Sequence, residues 1–236
     1  HTIWNYSEIG DTILTSDWYW GPYTVLCKEA LRKLDTYQLF DEQQNFNIKA
    51  FELKVNDLLK KQDSLVIIIN TPAHNPTGFS LTDDDWTKVL DVCKTEAKDS
   101  TKKITILVDI AYIDYAGEKN ETRRFLKQFS NLPANILGIL AFSMSKGYTM
   151  YGQRTGAMIG ISSSKEISKE FADINQYTSR ATWSNINRGA MQLLATIYND
   201  KQLLSQFEKV RHGFYELIKE RANIFMAEAK ECGLNM

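Results

Sequence analysis

Apolar residues along this chain follow two rhythms. Residues 65–69 and 136–142 are apolar runs, and 104–108 is apolar except for the β-branched Thr105, the pattern of strands buried on both faces. Residues 157–161 predict a fourth strand, 12–15 a short apolar segment ending at Ser16-Asp17, and 38–40 a weak strand. Between these runs the spacing turns helical. Ile48, Phe51, Val55, Leu58 and Leu59 predict a helix over 48–59, and a second is expected over 25–34, after a turn at Gly21-Pro22. Thr82-Asp83-Asp84-Asp85 opens a helix with an acidic first turn, and Trp86, Val89, Leu90, Cys93 and Ala97 form its apolar face. Ser163-Ser164-Lys165-Glu166 has the spacing of a capping box ahead of Ile167, Phe171 and Ile174, and helices over 187–198 and 202–231 close the pattern.

Strands alternating with helices predict an α/β fold, a mainly parallel sheet with helices on both faces. Such sheets bind ligands beyond the carboxyl ends of their strands. Three runs here deliver polar residues at that end. Thr71-Pro72-Ala73-His74-Asn75-Pro76-Thr77-Gly78 follows the first, Asp109-Ile110-Ala111-Tyr112 the second, and Ser143-Met144-Ser145-Lys146 the third. Their convergence says more than any one of the motifs.

Composition narrows the partners. With 236 residues the chain can form one large domain or two small ones, and a net charge of -1 leaves no nucleic-acid footprint. No apolar run approaches the ~20 residues of a membrane-spanning helix. Three cysteines, Cys27, Cys93 and Cys232, have neither metal nor disulfide spacing and fit free thiols of a reducing, cytoplasmic setting. The chain opens at His1 and stops just after a helical pattern, so both ends are expected to be cut from a longer protein.

Lys146 carries the sharpest chemistry. An amine at the end of a buried strand can form an imine with a carbonyl, and Ser143 with Arg154 can hold a phosphate dianion. Pyridoxal 5'-phosphate has both groups. A solvated surface lysine is the plain alternative, and the neighbouring Ser143 and Arg154 weigh against it. Asp109, ending a buried strand, needs a partner such as a pyridinium N–H, or else serves as a helix N-cap. Tyr112 and Asn75 can donate to a phenolate oxygen. Their plain readings are a core tyrosine with a wet tip and an Asn-Pro turn. Trp20 can stack on a flat ring or belong to an aromatic core, and Arg180 can hold a carboxylate or sit in a surface ion pair.

Taken in order, Trp20-Gly21-Pro22, Ala73-His74-Asn75-Pro76-Thr77-Gly78, Asp109-x-x-Tyr112, Ser143-x-Ser145-Lys146, Tyr151-Gly152-Gln153-Arg154-Thr155-Gly156 and Arg180-x-Thr182-Trp183-Ser184-Asn185 resemble the class I aminotransferases of the fold-type-I pyridoxal-phosphate superfamily. The aspartate and aromatic amino acid branch is the nearest match. The resemblance implies Lys146 as the imine-forming lysine and proton shuttle, and Asp109 as partner of the pyridine nitrogen. It implies Asn75 and Tyr112 on the phenolate oxygen, and Ser143, Arg154 and Ser145 on the phosphate. Trp20 is implied to stack on the ring. Arg180 is implied to reach a substrate carboxylate in the neighbouring subunit of a homodimer. Tyr23 departs from the pattern, standing where that branch has a histidine behind the aspartate. The family's glycine-rich phosphate turn is expected before His1 and its α-carboxylate arginine beyond Met236.

The expected architecture is then a cofactor-binding large domain over 1–200, incomplete at its start, and a long helix over 201–236 leading to a small domain. The expected activity is transfer of an amino group from aspartate, glutamate or an aromatic amino acid to a 2-oxo acid such as 2-oxoglutarate. A β-eliminating or decarboxylating lyase would use the same cofactor residues, and product analysis separates it. A non-catalytic domain that kept the fold has no chemical need for Lys146, Asp109 and Arg154 together.

Overall fold

The computed structural model of the chain describes residues 1–234, so the last two positions of the expected 201–236 segment lie outside the described residues. In chain order the elements are α1 (Thr2–Asn5), β1 (Thr12–Ser16), α2 (Pro22–Glu29), β2 (Lys33–Tyr37), α3 (Ile48–Leu59), β3 (Ser64–Asn70), α4 (Asp83–Glu96) and β4 (Lys103–Asp109). There follow β5 (Ile136–Ser143), α5 (Met144–Gly147), β6 (Gly156–Ile161), α6 (Lys165–Trp183), α7 (Arg188–Asn199) and α8 (Lys201–Glu231). Short 3-10 helices span Ile113–Tyr115, Glu121–Phe129 and Tyr151–Gln153.

The strands form one sheet in the order β2-β1-β3-β4-β5-β6. All neighbours run parallel except β6, which lies antiparallel on β5. Alternate residues of the apolar runs point to opposite layers. Leu65, Ile67 and Ile69 of β3 and Ile104, Ile106 and Val108 of β4 pack with Phe51 and Val55 of α3 and Trp86 and Leu90 of α4. Ile13, Val66 and Ile68 face the other way, toward Tyr23, Cys27 and Ala30 at α2. This two-sided cover explains why β3 and β4 read as apolar runs. Gly138 in β5 is needed for space. A Cβ there would lie 2.7 Å from the Phe129 ring, which stacks on the strand at that point.

Three expectations need correction. The helix expected over 25–34 ends at Glu29, and β2 begins at Lys33. Leu31 takes a left-handed φ of 57°, which breaks the helix. Within the helix the buried face is Tyr23 and Cys27, continued by Ala30, while Val25, Leu26 and Leu31 are exposed. The strand expected at 38–40 is only an isolated bridge between Phe40 and Phe46. The real strand, β2, is an edge strand with sequence KLDTY, paired on one side and too polar to stand out.

The box at Ser163 to Glu166 does not close. Ser164 is the N-cap of α6, accepting from the Ile167 N–H at 3.2 Å, and Glu166 accepts from its hydroxyl at 2.7 Å. A full capping box does form at α4. There Thr82 Oγ1 accepts from Asp85 N at 3.1 Å, and Asp85 Oδ2 accepts from Thr82 N at 2.9 Å.

The chain divides into two compact units, His1–Ile186 and Asn187–Met236. Asn187 caps α7 through its side chain, and Asp200 caps α8 by accepting from Gln202 N at 2.8 Å and Leu203 N at 3.0 Å. Among the described residues no helix is long and apolar enough to cross a membrane.

Candidate active site

Strand register brings the polar ends together. Asn70 of β3 lies opposite Asp109 of β4, and Asp109 lies opposite Ala141 of β5, two residues before Ser143. The sheet order reverses between β1 and β3, so these ends open beside a topological switch point.

Asp109 is held by two neutral donors. The hydroxyl of Tyr23, from α2, donates to Oδ2 at 2.7 Å, and the Ala111 N–H donates to Oδ1 at 3.1 Å. Burial pushes the Asp109 carboxyl above its ordinary range, and the two donors offset only part of that. Burial first, then the adjacent carboxylate, drives the Tyr23 hydroxyl far above its usual value. Tyr23 therefore stays protonated and works as a donor at any physiological pH. No cation pairs with Asp109 among the described residues.

Asn70 ties two loops to this strand end. Its amide donates to the Asp109 carbonyl at 2.9 Å, and its side-chain oxygen accepts from the Asn75 N–H at 2.7 Å. Asn75 follows in the turn after β3, where its own amide meets the Tyr112 hydroxyl at 3.4 Å. His74 in the same turn is buried, its Nδ1 2.8 Å from the Thr77 hydroxyl. Two adjacent neutral groups, Asn75 and Tyr112, are thus poised to share one acceptor.

Lys146 sits in α5, directly after β5. Ser143 caps this turn by accepting from the Ser145 N–H at 3.1 Å. Lys146 Nζ lies 5.7 Å from the centroid of the Tyr112 ring and 4.5 Å from that of Tyr151. Arg154 lies over the other part of this cluster, 5.5 Å from the Tyr151 ring, and donates to the Tyr151 carbonyl at 3.0 Å. Its backbone is left-handed, with φ 52° and ψ 48°, an uncommon state for a residue with a Cβ. Neither Lys146 nor Arg154 makes an ion pair among the described residues.

Of the residues singled out in the sequence, Asn75, Asp109, Tyr112, Ser143, Ser145, Lys146 and Arg154 thus lie on adjoining strand ends and loops. Trp20 precedes α2 and packs edge-on against Tyr23, with ring centroids 5.6 Å apart. Arg180 stands apart, exposed in the last turn of α6 with its guanidinium on the Ser184 hydroxyl at 2.6 Å. Two residues escaped notice. Asn70 was signalled by its place, a polar side chain closing a buried run. Tyr151 lay inside a quoted motif, but only the structure reveals its ring beneath both cations.

Residues 5–236 match the family model for aminotransferase class I and II. The chain belongs to that family. Among curated relatives, the aromatic-amino-acid aminotransferase of Escherichia coli is 23% identical over 93% of this chain and 54% of its own length. The aspartate aminotransferase of Pseudomonas aeruginosa is 25% identical over 84% of this chain and 47% of its own. The chain spans about half the length of the curated relatives it matches. An aminotransferase structure from Anaerococcus prevotii covers 100% of this chain and 57% of that one, with a TM-score of 0.97 and 38% identity. An aromatic-amino-acid aminotransferase from Burkholderia pseudomallei, solved covalently bound to pyridoxal phosphate, shares the fold at a TM-score of 0.82 and 21% identity, over 96% of this chain and 54% of that one. The expected large-domain fold of the fold-type-I aminotransferases is therefore the fold of this chain.

Proposed function

We propose that the whole protein is a pyridoxal 5'-phosphate-dependent aminotransferase acting between an amino acid and a 2-oxo acid. The observation that carries this reading is the convergence of Lys146, Asp109, Tyr112 and Asn75 at the carboxyl ends of adjacent strands in a class I and II aminotransferase fold.

The donor set fits the cofactor. Asp109 is a half-buried carboxylate held by two neutral donors, Tyr23 and the Ala111 N–H, and its charge suits a cationic ring N–H. Asn75 and Tyr112 offer two donors to one ring oxygen. Arg154 is a guanidinium that pairs with no carboxylate among the described residues, suited to a phosphate, and Ser143 and Ser145 lie on the adjoining turn. Trp20, exposed beside Tyr23, can cover the ring. When bound, pyridoxal 5'-phosphate supplies a carbonyl for the amino group and a ring that accepts electrons from the substrate α-carbon.

The chain's own residues do the rest. Asp109 keeps a proton at the ring nitrogen by pairing with it, and Tyr23 keeps Asp109 in place. Lys146 holds the cofactor and, once released, accepts the proton leaving the substrate α-carbon at Nζ and later returns it. Tyr112 and Asn75 stabilise negative charge on the ring oxygen by donation. Arg180 belongs to the site of the neighbouring subunit in a homodimer and favours a dicarboxylate substrate. In this reading residues 1–200 contribute the cofactor domain and 201–236 lead into a small domain. The free, buried thiols of Cys27 and Cys93 support a cytoplasmic setting.

Initial rates of the full-length protein with aspartate, phenylalanine and tyrosine against 2-oxoglutarate test the reading. Stoichiometric formation of glutamate and the matching 2-oxo acid is expected. Release of ammonia or carbon dioxide without glutamate points to lyase chemistry and contradicts it.

A further inference from the structure

The loop that carries Tyr112 also grips the turn that carries Lys146. The 3-10 helix Ile113–Tyr115 follows Tyr112 without a break. The Asp114 side chain is only 6% exposed, and its Oδ1 accepts from Arg123 Nη2 at 2.7 Å. Its Oδ2 lies flat against Gly147, the residue after the lysine. A Cβ at Gly147 would sit 2.1 Å from Oδ2, 2.9 Å from Cγ and 3.1 Å from Cβ of Asp114. Next door, the Tyr115 hydroxyl donates to the Lys146 carbonyl at 3.3 Å. Two successive residues of one loop thus meet two successive residues of the other.

The carboxylate cannot easily swing away. Arg123 holds one oxygen and is itself fixed, donating to the Lys119 carbonyl and the Thr122 hydroxyl, both at 3.1 Å. A buried carboxylate parted from its guanidinium is strongly disfavoured, so the pair moves as a unit or not at all. Glycine is required at 147 because any side chain would occupy the carboxylate's place. A lysine has a long flexible stem, so the reach of its amine is set by where the backbone starts it. Here that start is tied to the segment that also bears Asp109 and Tyr112.

We propose that Asp114, locked by Arg123 against Gly147, is a positioning residue that sets Lys146 relative to Tyr112 and Asp109. The inference rests on the reading that Lys146 is the amine that holds the cofactor. It assigns Arg123 and Gly147 a role in the site although neither faces the substrate.

The test uses the full-length protein with pyridoxal 5'-phosphate as probe, in wild-type, Gly147→Ala, Asp114→Ala, Gly147→Ala/Asp114→Ala and Lys146→Ala forms. Cofactor affinity is read by equilibrium dialysis. Lysine geometry is read from the pH midpoint of the bound cofactor's near-visible absorption band. Gly147→Ala is expected to weaken binding by about tenfold or more and to move the midpoint, since displacement on the order of 1 Å is costly in such sites. Asp114→Ala alone is expected to weaken binding and to move the midpoint, and the double variant to match Asp114→Ala, because removing the carboxylate makes room for the new methyl but also removes the lock. No effect of Gly147→Ala or of Asp114→Ala, or a double variant that regains wild-type binding and midpoint, overturns the lock. If Gly147→Ala does not fold, Arg123→Gln takes its place, and an unmoved midpoint there overturns the lock equally. A wild-type band surviving in Lys146→Ala overturns the reading beneath it. A band lost in Lys146→Ala but unmoved by the other substitutions overturns the lock alone.

Discussion

Asp109 is the residue on which the site's electrostatics turn. Burial holds its carboxyl above the ordinary value of 3.8, so the folded chain binds this proton more tightly than the unfolded one. The sign follows from linkage. This contribution to stability is complete below the unfolded pKa and is lost as pH rises through the folded pKa. In cofactor-free protein, the wild-type melting temperature is therefore expected to fall relative to that of Asp109→Asn as pH rises above about 4, the ordinary carboxylate range. Parallel melting curves across that window would rule out a raised Asp109. A ring cation would remove the cost by pairing with the carboxylate, which links cofactor binding to stability. At this scale the sequence showed where polar side chains follow buried runs, and Asp109 and Lys146 do lie at strand ends. It was mute on Tyr151, because its role is a matter of ring placement beneath two cations that no spacing encodes.

Among the elements, the buried strands were the plainest to read. β3 and β4 are covered on both faces, so nearly every central position is apolar. β2 failed because an edge strand needs little apolar character, and α2 was drawn too long because the left-handed turn at Leu31 has no glycine or proline to mark it. Cap chemistry separated two similar motifs. Thr82 and Asp85 bond reciprocally at the start of α4, whereas at α6 the carboxylate reaches a hydroxyl instead of the backbone. Thr82→Ala is expected to lower stability by about 1 kcal/mol, the ordinary worth of an N-cap, seen as a lower urea midpoint with unchanged slope. No change would mean that the N-terminal N–H groups of α4 find equal partners in water. The α4 start matters to the site, because α4 packs through Trp86 and Leu90 under the strands that end in Asn70 and Asp109.

On the scale of the whole molecule, the chain covers about half the length of its curated relatives, and Arg180 is exposed and apart from the other candidate residues. Its assignment to a neighbouring subunit's site makes a separable claim. Arg180→Leu in the full-length protein is expected to raise KM for aspartate and 2-oxoglutarate by about tenfold or more, the worth of a charge-assisted pair, with much less effect on phenylalanine. An equal loss for all substrates would assign Arg180 to folding or assembly instead. The family and the sheet were legible because several motifs fall in order at strand ends. The central claim, that Lys146 is the amine that holds the cofactor, has a direct chemical test. The full-length protein is incubated with pyridoxal 5'-phosphate, reduced with borohydride, digested and mapped by mass spectrometry. The cofactor is expected to be fixed to the peptide carrying Lys146. Stoichiometric labelling of another lysine, with Lys146 unmodified, would contradict it.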